Sequence, residues 1–157
     1  ARTEVTIGNQ RAAARVVLFD PELDVALLYA PAVRATPLRF ASVAPTRGTE
    51  AAALGHPRGG PLAIIPAAIS GAYRATGRDL YGTATVTRNI LELRAVIERG
   101  DSGGPVVLAD GTVGGVVFAE ARSDPSVGYA LNPVDVANRI APGFGRTSPV
   151  GTGRCIR

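Results

Sequence analysis

Arg99-Gly-Asp-Ser-Gly-Gly-Pro-Val-Val107, RGDSGGPVV, decides the reading of this chain. Six of its nine residues are small or turn-forming, and a valine-rich, strand-like run follows at once. A serine hydroxyl is a weak nucleophile at neutral pH. It needs a base to take its proton and donors to hold the oxyanion that forms on its target. Backbone N–H groups supply those donors only where the chain bends sharply enough to aim two of them at one point. Glycine allows such bends because it tolerates positive φ. Gly100, Gly103 and Gly104 therefore fit an oxyanion loop around Ser102, with the amides of Gly100 and Ser102 as the donors. The bland alternative is a glycine-rich turn with an incidental serine.

The remaining sequence is that of a globular β protein. The chain has 157 residues, 46% of them hydrophobic and 19% charged, with 19 Gly and 12 Pro. This is enough chain for one domain with a substantial core. β-type runs recur at 3–7, 12–19, 25–29, 50–54, 62–74, 86–95, 105–109, 112–119 and 127–131. Turn signals separate them at Gly8-Asn9, Asp20-Pro21, Pro45–Gly48, Pro57–Pro61, Gly77–Asp79 and Asp110-Gly111. Short strands with Gly/Pro punctuation predict a sandwich or barrel. One helix is signposted, with Asn132 as cap, Pro133 at the first helical position, and VDVANRIA running to Pro142-Gly143.

Charge and composition exclude several classes. All 17 basic residues are Arg, scattered along the chain, and the net charge is +4. With four Tyr, four Phe and no Trp there is little to stack on bases, so no nucleic-acid partner is expected. No apolar run approaches the roughly 18–20 residues of a membrane helix. One His and one Cys, far apart in sequence, are no metal-ligand set, and neither metal nor cofactor is expected. Cys155 is either a free thiol or half of a disulfide with a partner outside these residues.

The GDSGGP motif resembles the nucleophile loop of the chymotrypsin-like serine proteases. That resemblance implies an all-β, double-barrel fold with a C-terminal helix, and a triad in the chain order His, Asp, Ser. DPELDVALL resembles the segment that carries the triad aspartate, which gives Asp24 the role of fixing and stabilising the imidazole. Apart from the resemblance, an Asp before a strand is an ordinary turn residue. The single histidine, His56, follows Asp24 and is in the wrong order. Its context, ALGHPRGG, resembles a structural Gly-x-Pro turn of the first barrel. EVTIGNQRAAARVVLFDPELDVALL looks like the strand pair that follows the family's catalytic histidine, so the resemblance places that base just upstream of Ala1. The expected organisation is one protease domain with an incomplete N-terminal barrel ending between about residues 48 and 80. A C-terminal barrel over about 81–131 and a helix over 133–141 complete it. The missing strands are expected to be replaced by a swapped neighbour, a dimer contact or a rearranged N-terminus.

GTVGGVVFAEARSDPSVGYALNPVDV resembles the walls of the specificity pocket and the terminal helix. Carried over, Phe118, Ala119 and Glu120 line the edge that binds substrate backbone. Gly128 and Ala130 form the opposing wall, and Val96 or Ile97 lies near the base, which together suggest an uncharged P1 side chain. Asp101 is expected to pair with an Arg or with a backbone group. Several stretches spanning the chain, from DPELDVALLYAP to PVGTGRCIR, look like the actinobacterial membrane-anchored serine proteases, the mycobacterial acid-resistance type among them. That likeness implies an extracytoplasmic endopeptidase with peptide or protein substrates, a membrane-anchored parent, and Cys155 as half of a disulfide. A non-catalytic peptide-binding module that keeps the barrel and the loop is the alternative.

Overall fold

The computed structural model describes residues 3–154, so Cys155 lies outside the described residues. Strands β1 (Thr3–Ile7), β2 (Gln10–Asp20) and β3 (Val25–Tyr29) form an antiparallel three-stranded sheet in that order. Strands β4 (Glu50–Gly55), β5 (Ala63–Arg78), β6 (Thr85–Arg94), β7 (Pro105–Leu108), β8 (Val113–Glu120) and β9 (Val127–Leu131) close into a barrel in the order β4-β5-β6-β9-β8-β7. Helix α1 (Pro133–Ile140) follows.

Pairing sets the seam between sheet and barrel. β4 lies between β5 and β7, so residues 50–78 belong with β6–β9 and not with the first sheet. The sequence left that seam anywhere from about 48 to 80. Alternation shows which face of a strand is apolar, but not which sheet the strand joins. His56 follows β4, so its turn also sits on the closed barrel and not on the first one, as its Gly-x-Pro context had suggested.

Inward positions of alternate residues fill the barrel: Ala53, Ala67, Ile69, Leu91, Leu93, Val106, Val117 and Ala130, with Ala95 and Ile97 beyond β6. Small residues among them suit the narrow bore of a six-stranded closure. At Gly115 even a Cβ would crowd Ala130, Leu131 and Leu91.

A second cluster joins the two sheets. Leu23, Leu131, Val136 and Ile140 are buried together, with Val25, Phe40, Val116 and Phe118 packed against them. The connector between β3 and β4 is drawn in by Phe40, where Val113 N donates to Arg39 O and Ala41 N donates to Val113 O. Helix α1 is built as its sequence signals require. The Asn132 side chain accepts from Val134 N, Pro133 occupies the first turn, and Asp135 and Arg139 suit the two ends of the helix dipole. Its buried face is Pro133, Val136 and Ile140. The tail returns across the first sheet, with Val150 N donating to Val16 O and the Tyr81 hydroxyl to Thr152 O.

Candidate active site

Ser102 stands exposed on the loop between β6 and β7, its hydroxyl 3.5 Å from the carbonyl oxygen of Phe118. The loop fixes itself by spending some amides on carbonyls and leaving others out. Asp101 N donates to Glu98 O, Gly103 N to Val117 O and Gly104 N to Asp101 O. The amides of Gly100 and Ser102 take no part in these bonds. Gly100 has φ +107° and Gly103 φ +86°, conformations that favour glycine.

The end of β4 cradles this loop. A Cβ on Gly104 would overlap Leu54 O, one on Gly55 would overlap the Asp101 carboxylate, and one on Gly100 would overlap His56 O. Asp101 is 1% exposed. One of its oxygens accepts from Glu98 N at 2.9 Å, and the other has no hydrogen-bond partner. Of the two expected pairings for Asp101, the backbone group is the one present.

Asp24 ends the turn between β2 and β3, at φ +62° and exposed. Asp20 shapes that turn from inside, because its Oδ1 accepts from Glu22 N and Leu23 N, both at 2.8 Å. The barrel side holds the turn from without: Leu80 N donates to Pro21 O, Arg88 Nε to Glu22 O, and Arg139 pairs with Asp20. Leu23 and Val25, on either side of Asp24, pack in the cluster that includes Phe118, whose carbonyl faces the Ser102 hydroxyl. Asp24 and Ser102 thus both border the seam between sheet and barrel.

The other expected site residues divide by exposure. Ile97 and Ala130 are built into the barrel core, and Gly128 is buried against Ile97, whose side chain takes the space a Cβ would need. Val96 is 58% exposed and Glu120 is exposed. Phe118 and Ala119 are half-buried, with the Phe118 ring 6.5 Å from that of Tyr129. On the outer face nearby, burial chiefly, and then Tyr129 and Glu92, push the Tyr73 phenol up to about 12. His56 bonds through Nδ1 to Gly60 O at 2.9 Å, so its imidazole is engaged within its own turn. That turn is the participant the sequence reading missed. HPRGG marks it as structural, but nothing in it shows that it packs on Gly100.

A six-stranded closed barrel carrying a Gly-Asp-Ser-Gly-Gly loop beside a second sheet defines the class, and the chain belongs to the trypsin-like peptidase domain family, which matches over residues 1–116. Within that family it is 42% identical over 153 residues to serine protease Rv3671c of Mycobacterium tuberculosis. That match covers 97% of this chain and 38% of the relative. The crystal structure of the Rv3671c protease in its active form superposes with a TM-score of 0.93 at 41% identity, over 98% of this chain and 68% of that one. An inactive form of the same protease gives 0.80 at 39% identity, over 90% and 72%. The resemblance read from the sequence, to the chymotrypsin-like proteases and to a mycobacterial member of them, therefore holds, as does the mostly-β fold. No helix among the described residues is long and apolar enough to cross a membrane.

Proposed function

We propose that this chain is the catalytic domain of a serine endopeptidase that cleaves peptide bonds through an acyl-enzyme at Ser102. The observation that carries this is the pair of amides, Gly100 and Ser102, left out of the loop's own hydrogen bonds beside an exposed serine hydroxyl. In this reading Ser102 Oγ attacks the scissile carbonyl. The two N–H groups hold the negative charge on its oxygen, and the amine leaves with the proton taken from Ser102. Water then hydrolyses the ester and restores Ser102. Asp24 holds the imidazole of the base in the required tautomer and stabilises its charged form.

His56 follows Asp24 in the chain and stands at the head of the 57–59 turn on the closed barrel, so in this reading the base is a histidine outside these 157 residues. The outer edges of β1 and β3, each with one strand neighbour among the described residues, would receive the segment that brings it, from the same polypeptide or from a second copy. Without that base, hydrolysis falls by roughly 10⁴–10⁶-fold. The substrate is a peptide or protein whose backbone lies along residues 118–120, and the domain works outside the cytoplasm on a membrane-anchored parent.

A fluorophosphonate probe tests the assignment. It is expected to label the full-length protein at Ser102, to leave Ser102→Ala unlabelled, and to label the 157-residue chain far more slowly. If the full-length protein takes no label, the domain is a non-catalytic peptide-binding module.

A further inference from the structure

The turn His56–Gly60 follows β4 and, like the turn at Asp24, has a residue with a side chain in the left-handed region. Arg58 adopts φ +56°, ψ 23°, a left-handed conformation rare for a side-chain-bearing residue, next to Gly59 at φ +73°. Strained backbone of this kind persists where the surroundings hold it, and it clusters at functional sites. The peptide that enters this conformation lies against the nucleophile loop, and its Arg58 N–H donates to Arg99 O at 2.6 Å.

The bond matters because of what else the 99–100 peptide carries. In a trans peptide the C=O and the following N–H point in opposite directions. The peptide that presents Arg99 O to the turn therefore presents Gly100 N–H away from it. If this peptide rotated by half a turn, Gly100 N–H would face the turn and the Arg99 carbonyl would replace it. The charge forming on the substrate oxygen would then meet an acceptor instead of a donor. Gly100 has no side chain to oppose the rotation. The loop's own bond from Asp101 N to Glu98 O spans the 99–100 peptide without engaging it, so a contact from outside the loop bears directly on its orientation. Contact with the turn is close enough that any Cβ at Gly100 would overlap His56 O.

We propose that the Arg58 amide is a latch that holds the 99–100 peptide in its productive orientation, making the His56–Gly60 turn a positioning element for the oxyanion site. This rests on the serine endopeptidase reading. The side chain contributes little. The Arg58–Glu98 pair, at 2.8 Å, is between groups 80% and 37% exposed, a setting in which ion pairs add little stability.

Two measurements test the latch. The first uses the 157-residue chain and does not depend on activity. A scalar coupling across the hydrogen bond from Arg58 N to Arg99 C′ is expected, with slow exchange of the Arg58 amide. Absence of both overturns the proposal. The second uses the full-length protein, with the Pro57–Arg58 amide replaced by an ester, which deletes the N–H and also weakens Pro57 O as the acceptor of Gly60 N. A Gly59–Gly60 ester, which loses that second bond alone, is the control and should keep kcat. With its thermal midpoint little changed, the Pro57–Arg58 ester should lower kcat by about 10²–10³-fold, as loss of an oxyanion donor does, with KM little altered. Arg58→Gly keeps the amide and the positive φ, and should keep kcat within about twofold, since only an exposed ion pair is lost. A Pro57–Arg58 ester with the kcat of Arg58→Gly overturns the latch. Failure of the unsubstituted protein to hydrolyse peptides or take the phosphonate label would instead sink the endopeptidase reading, with the coupling measurement left to judge the latch.

Discussion

Ser102 depends on three glycines that have different reasons to be glycine. Gly100 needs both its positive φ and room against His56 O, Gly55 leaves space for the Asp101 carboxylate, and Gly104 lets the loop meet Leu54 O of β4 backbone to backbone. Gly104 is the most demanding. An added Cβ would overlap Leu54 O and crowd Asp101 O, and neither is the end of a flexible side chain. Gly104→Ala is therefore expected to lower the unfolding free energy by about 1–3 kcal/mol or more, the usual penalty for overpacking. It should also displace Gly103 N from Val117 O. Urea denaturation measures the first, and an unchanged midpoint would contradict the close contact.

Elements are punctuated by aspartates that act alike. Three hairpin turns of the barrel each fold a carboxylate onto a hydroxyl residue: Asp79 onto Thr83, Asp110 onto Thr112 and Asp124 onto Ser126. Those hydroxyls, first among the causes, hold all three carboxyls below their ordinary value of 3.8. A carboxyl depressed in the folded state favours folding above its unfolded pKa, and that contribution is lost as pH falls through the folded value. The hairpins should thus keep these bonds down to pH 3.8 and loosen below it. NMR amide shifts of Thr83, Thr112 and Ser126 over an acid titration check this, with midpoints below 3.8 expected. Midpoints at or above 3.8 would show that the carboxylates are free.

At the scale of the molecule, the seam between the three-stranded sheet and the barrel governs the geometry of the proposed site. Asp20 is 8% exposed, accepts two amides of its own turn, and meets Arg139 from the last turn of α1. Removing the guanidinium strands a buried carboxylate, so Arg139→Ala should cost about 1–3 kcal/mol of stability. Asp20→Asn should cost less in the Arg139→Ala background than alone, because the two share one interaction. Full additivity in a double-mutant cycle would refute the coupling. The loss should also loosen the turn that carries Asp24.

Much of this was legible in the sequence because it is local. Alternating apolar residues and Gly/Pro punctuation mark the strands, Asn132-Pro133 marks the helix, and Gly-Asp-Ser-Gly-Gly-Pro specifies both a bend and a chemistry. These features depend on φ, ψ and hydrogen bonds between near neighbours, which a short stretch of sequence sets by itself. The tertiary structure alone decided the rest: that β4 and β5 close the barrel, that Ile97 faces the core while Val96 faces water, that Asp101 bonds to a backbone amide, and that Arg58 reaches Arg99. Each of these joins backbone or small side chains brought together by the closure of the sheet. A backbone N–H is the same on every residue but proline, so no residue type announces which carbonyl it will meet.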